Sequence, residues 1–123
     1  RYFTLYKRWH LIGLEVGYSV ASLALRREAT GVAHCWNADV VATAKRDLQP
    51  GELLDGEGGY TVWGKLTPAK ASLKAGGLPL GLAHQVKVVR PVKQGQSLCW
   101  DDVAMDTTTR AYAVRREMEA MFR

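Results

Sequence analysis

The residues best suited to chemistry gather in one stretch, Asp55-Gly56-Glu57-Gly58-Gly59-Tyr60-Thr61-Val62-Trp63-Gly64, with Lys65 directly after it. Four of those ten residues are glycine, and bare backbone at Gly58 and Gly59 lets a ligand approach closely. Glu57, Tyr60 and Lys65 would supply a carboxylate, a phenol and an ammonium as polar handles for substrate. The plainer reading of the same composition is a tight loop before a strand, with glycine where positive φ is needed, and such loops are common. Elsewhere the chain offers little. It has no G-x-G-x-x-G, P-loop, H-E-x-x-H or Cys/His cluster at metal spacing. Ser19, Ser22, Ser72 and Ser97 lie in no nucleophile elbow. His10, His34 and His84 have no triad partner nearby, although His10 precedes Glu15 by about one helical turn. We therefore assign no catalytic, cofactor-binding or metal-binding residue, and take Glu57, Gly58, Gly59, Tyr60 and Lys65 as the substrate-binding candidates.

Three zones must position these residues. In the first, residues 1–37, Leu11, Leu14, Tyr18, Ala21 and Leu25 keep helical spacing, with Ile12, Val16 and Val20 in a second row. Thr30-Gly31 is expected to end this helix, glycine taking the left-handed cap. So wide an apolar face asks for cover from outside the helix, and packing of Leu14, Tyr18 and Leu25 against a second copy is expected of the isolated chain. The opening at Arg1, straight into Tyr2-Phe3-Thr4-Leu5-Tyr6, reads as a fragment or a processed product.

The second zone, residues 38–106, is rich in strand patterns. Val40, Ala42 and Ala44 alternate with Val41, Thr43 and Lys45, and Tyr60, Val62, Gly64 and Leu66 alternate with Thr61, Trp63 and Lys65. Thr67-Pro68 reads as a helix N-cap with proline at the first position, and Gly76-Gly77 as the stop. Gln49-Pro50-Gly51-Glu52 and Lys93-Gln94-Gly95-Gln96 are turns. They belong to a repeat. A shift of 44 residues lays Ala42 on Val86, Ala44 on Val88, Arg46 on Arg90, Leu48 on Val92, Gly51 on Gly95 and Leu54 on Leu98. Two related strand–turn units packed as a pseudo-symmetric pair are expected. The third zone, residues 107–123, is a helix capped by Asp106 or a following threonine. Its stripe Ala111, Val114, Met118 and Met121 should face the core, with Arg115, Arg116, Glu117 and Glu119 in solvent.

The totals agree with one small domain of α+β class: a mostly-β body flanked by an N-terminal apolar helix and a C-terminal helix. The chain has 123 residues, 47% hydrophobic and 24% charged, the balance of a globular domain. The net charge of +5 comes from scattered pairs such as Lys7-Arg8 and Arg115-Arg116, so no basic patch argues for nucleic acid. The stretch from Leu11 to Leu25 is too short and too polar along one stripe to span a bilayer. Cys35 and Cys99, far apart and without a CxxC, read as buried reduced thiols of a cytoplasmic protein.

Several segments carry a resemblance. Residues Asp39-Val40-Val41-Ala42-Thr43-Ala44-Lys45-Arg46-Asp47-Leu48, Pro50-Gly51-Glu52 and Gly56-Glu57-Gly58-Gly59-Tyr60 through Leu66 resemble the SAF domain. More narrowly, they resemble the SAF domain that closes the predicted homoserine dehydrogenase-like oxidoreductases, a family with a deoxyxylulose phosphate reductoisomerase-like branch. Leu78-Pro79-Leu80-Gly81-Leu82-Ala83, Arg115-Arg116-Glu117-Met118-Glu119-Ala120 and the stretch Tyr6 to Val20 also resemble that family's ending. The resemblance implies a β-clip fold for residues 38–106. It also implies an N-terminal Rossmann domain in a parent protein, which would bind NAD(P) and be this domain's partner. Related SAF domains serve as caps or docking modules, so the expected role is an accessory domain that helps close or assemble an active site. The chain alone is then expected to be inactive, to hold no cofactor and to be part of a homo-oligomer. The alternative is a free-standing β-clip binding or chaperone module, which would have little use for so apolar a leading helix.

Overall fold

A computed structural model describes residues 3–4 and 6–122. The opening residues Arg1, Tyr2 and Leu5, and Arg123 in the C-terminal zone, lie outside the described residues. The chain divides into two units, Arg1–His34 and Cys35–Arg123.

The first unit holds one helix, α1 (Ile12–Ala21), extended by a wider π turn over Ser22–Arg26. The helix ends at Arg27, whose φ of +57° supplies the left-handed cap, so the stop expected at Thr30-Gly31 comes earlier. Chain reversal is fixed by bonds that start on the helix: Ser22 Oγ donates to the Glu28 carbonyl at 3.2 Å, and the Ser19 and Thr30 hydroxyls meet at 3.3 Å. At the other end, Glu15 reaches back to accept from the Leu11 amide (3.2 Å), from Lys7 and from His10 Nδ1 at 2.5 Å. Hydrogen bonding from Lys7 and the Leu11 amide lowers its carboxyl pKa. No residue of α1 is buried. Leu14, Tyr18 and Leu25 are 79%, 72% and 84% exposed.

The second unit contains β1 (Ala38–Ala44), β2 (Leu53–Asp55), β3 (Val62–Pro68), α2 (Ala69–Ala75), β4 (His84–Val88), β5 (Val103–Ala104) and α3 (Arg110–Met121). β1 and β3 form one antiparallel sheet, and β2, β4 and β5 form a second in the order β2-β4-β5. The class is α+β.

The 44-residue repeat organises this unit. Its two copies run antiparallel to each other, and their bonds come in matching pairs. Leu48 and Val92 exchange both amide bonds, at 2.8 and 3.1 Å. The Gly51 amide donates to the Val88 carbonyl and the Gly95 amide to the Ala44 carbonyl, both at 2.8 Å. The Val88 amide donates to Glu52, and the Ala44 amide to Gln96. Both turns need their glycine, with φ of +96° at Gly51 and +79° at Gly95. Each turn is closed alike, by the Glu52 carboxylate on the Gln49 amide and the Gln96 amide oxygen on the Lys93 amide. The repeat also makes the core: Ala42, Ala44, Leu48 and Leu54 and their counterparts Val86, Val88, Val92 and Leu98 are all buried. Two strand–turn units thus bury one another's apolar positions about a local twofold.

Other expectations shift. β1 is buried on both faces from Val41 to Ala44, because the second repeat copy covers what alternation would leave outside. Thr67 does not cap α2. Pro68 holds the N-cap position, the Ala69 amide is taken by the Asn37 carbonyl at 3.0 Å, and Gly76 closes the helix at φ +62°. α3 is turned over. Its Arg115 and Glu119 point inward, while Ala111, Val114 and Met121 are exposed and Met118 is half-buried. The cause is Asp39, buried on β1, which accepts both arms of Arg115 at 2.9 and 2.5 Å and the Ser72 hydroxyl at 2.6 Å. Arg115 Nε also bonds Glu119 at 2.9 Å, Arg116 bonds Glu119 at 2.5 Å, and Trp36 lies under the Arg115 guanidinium at 4.7 Å. Burial pushes the Asp39 carboxyl up, but the Arg115 fork and Ser72 outweigh it, leaving the pKa lowered. Ion pairing thus overrides the apolar stripe. At the other end of α3, Thr109 is the cap, accepting from the Tyr112 amide at 3.3 Å. The thiols are free, and Cys35 is exposed where burial was expected; Cys99 is half-buried. Burial and the Asp102 carboxylate raise the Cys99 thiol pKa. Among the described residues no helix is long and apolar enough to cross a membrane.

Candidate functional site

The loop between β2 and β3 is built on Asp55, the last residue of β2. Its carboxylate accepts from the Tyr60 amide at 2.6 Å, the Thr61 amide at 3.0 Å and the Thr61 hydroxyl. The Thr61 hydroxyl in turn accepts from the Asp55 amide at 3.0 Å. Burial pushes the Asp55 carboxyl up, yet Thr61 and the Tyr60 amide more than offset it and hold it down at about 2. Asp55 is therefore an ionised brace rather than an acid or base.

The glycines follow from this brace. A Cβ at Gly59 would overlap the Asp55 carboxyl, so no side chain fits there. Gly56 and Gly58 have φ of +74° and +78°, the left-handed region that glycine enters without cost. A Cβ at Gly56 would also crowd His84 at 3.1 Å, whose ring bonds the Asp55 carbonyl at 3.2 Å. Lys45 donates to the Gly59 carbonyl from the end of β1. The loop is thus fixed at both ends and through its middle.

What it leaves open are the side chains of Glu57 and Tyr60, both exposed, the latter at 87%. Tyr60 lies before β3, outside the strand to which its alternation assigned it. The structure brings Glu57, Gly58, Gly59 and Tyr60 into one loop. Lys65 is placed apart from them, opposite Val41 within β3 and about 10 Å along the strand from Val62. It lines a groove of about 370 Å³ with Val41, Ala71, Ala75 and Leu98. The loop's own cation is Lys45, which sequence reading overlooked because it lies 14 residues from Gly59. Asp55 was overlooked as well, though an acid five residues before an exposed aromatic, across three glycines, is a readable sign of a side-chain brace.

The arrangement presents a carboxylate and a phenol on a rigid backbone, able to accept and donate hydrogen bonds to a polar ligand. It holds no nucleophile activated by a base. Among the described residues no three His, Cys, Asp or Glu side chains gather to hold a metal ion. No protein-family model matches the chain, and no curated protein matches it.

Proposed function

We propose that this chain is the C-terminal accessory SAF domain of a cytoplasmic NAD(P)-dependent oxidoreductase of the homoserine dehydrogenase-like kind, and that it helps close or assemble the active site without being catalytic alone. The observation that carries the proposal is the braced loop. Asp55 uses its bonding capacity to hold the loop, while Glu57 and Tyr60 stand outward with no partner among the described residues. A carboxylate and a phenol exposed on a braced backbone suit a cap over a neighbouring active site. The repeated strand–turn pair supports the β-clip assignment, and the apolar face of α1 supports docking onto a catalytic domain of the same protein. NAD(P) belongs to that parent domain in this reading, and the substrate is a polar molecule reached by the loop.

The test is Glu57→Gln and Tyr60→Phe in the full-length enzyme, with kinetics and thermal unfolding measured on the same samples. Turnover is expected to fall by about tenfold or more, the loss of one positioning bond, with the melting temperature unchanged. Wild-type rates in both variants would return the loop to a structural role.

A further inference from the structure

Lys65, set apart from the loop, borders a groove whose chemistry the loop does not share. It stands directly opposite Val41 in the β1–β3 ladder, so the two side chains share one face of the sheet. The groove, of about 370 Å³, is lined by β3, α2 and residues 97–99. Val41 and Leu98, 3% and 0% exposed, form its floor. Ala71 and Ala75, one turn apart on α2, give a wall of methyl groups, and their small size leaves the space open. The groove is also pre-formed. α2 is held at its start by the Ala69 amide on the Asn37 carbonyl at 3.0 Å, and in its middle by the Ser72 hydroxyl on Asp39 at 2.6 Å. Leu98 is fixed through both backbone groups, its amide donating to Ala42 at 2.8 Å and its carbonyl accepting from Leu78 at 2.9 Å.

The charge on this lining is one-sided. Lys65 is its only charged residue, and among the described residues no carboxylate pairs with it. A second cavity, of about 390 Å³, also touches α2, but its cation Arg116 is already bonded to Glu119 at 2.5 Å. The remaining polar groups of the groove include the Ser97 hydroxyl, 3.0 Å from Thr43 Oγ1 and with capacity for a further bond. A mostly apolar hollow of this size with a few polar groups suits a small molecule. It does not suit a docked helix, since α2, with seven residues, is about 10 Å long, no more than the width of the helix it would have to seat. We propose that the groove binds a small monocarboxylate, with the apolar body between Leu98 and α2 and the carboxylate on Lys65. One ammonium balances one negative charge, and no second cation lines the groove to take a phosphate ester. The binding needs neither the Glu57–Tyr60 loop nor a parent enzyme.

Titration of the intact chain with octanoate, followed by calorimetry and by methyl NMR, tests this. Saturable binding at one site is expected, with a dissociation constant of about 1 mM or below, and with shifts in the methyl signals of Val41 and Leu98. Acetate keeps the charge without the body, and octanamide keeps the body without the charge. Each should bind at least about tenfold more weakly than octanoate. Lys65→Gln should weaken octanoate binding about tenfold. Ala71→Leu, which fills the groove from a helix position where leucine is well tolerated, should abolish it. Both positions are exposed, so neither variant threatens the fold. Octanoate held equally well by Lys65→Gln, or octanamide held as tightly as octanoate, would overturn the proposal. So would a failure to saturate by about 10 mM, ten times the expected constant, or shifts confined to Leu14 and Tyr18 of α1.

Discussion

Asp55 sets the stability of its loop through donors that meet its charged form, and this makes the loop sensitive to acid. The carboxyl sits at about 2 in the folded chain, against 3.8 in the absence of such contacts. A group whose folded value is depressed contributes stability above its unfolded value and loses it as pH falls towards the folded one. The melting temperature of the wild type should therefore exceed that of Asp55→Asn at neutral pH, by a difference equivalent to about 1–2 kcal/mol. That gap should close as pH drops from about 4 towards about 2. A gap that stays constant through this range would show that Asp55 acts by shape rather than by charge. Glycine composition alone pointed to Glu57, Gly58, Gly59 and Tyr60 as a unit, because that signal is local. The pairing of Lys45 with the Gly59 carbonyl was not legible, since it depends on how β1 and β3 lie side by side.

Among the elements, α3 shows where pattern reading stops. Its apolar stripe is a true feature of the sequence, but what faces the core is decided by Asp39, 76 residues upstream of Arg115. A buried acid needs a cation more than the core needs one more methionine. Arg115→Met should cost about 3–5 kcal/mol, because it strands Asp39 and Glu119 without their partner. A loss below about 1 kcal/mol, measured by denaturant unfolding, would show that the network is dispensable. The repeat, by contrast, was legible in its strands and turns, because its signal is matching residue character at fixed spacing and needs no knowledge of partners; the matched Arg46 and Arg90 nevertheless pair differently, with Glu52 and Asp101. Gly51→Ala and Gly95→Ala should each cost about 1–2 kcal/mol for a side chain forced into left-handed backbone. If the two turns are equivalent, the two losses should agree within about 0.5 kcal/mol; a strongly unequal pair would mean that only one turn is held by the pseudo-twofold.

At the scale of the molecule, a β unit that buries its own repeat is joined in sequence to a helix with no buried residue. An apolar helix face of this width is more than a soluble monomer usually shows. On the proposed reading, a catalytic domain covers it, and the Glu57–Tyr60 loop faces that domain's substrate. The isolated chain should then give no heat with NADH or NADPH in titration calorimetry, since phosphate binding at a glycine-rich strand–helix junction is the task of the other domain. The proposal is tested most directly by reading the complete coding sequence of the gene. It should place a strand followed by G-x-G-x-x-G and a helix upstream of Arg1, in frame with it. An open reading frame that encodes residues 1–123 with no nucleotide-binding region ahead of them would contradict the proposal and leave a free-standing module.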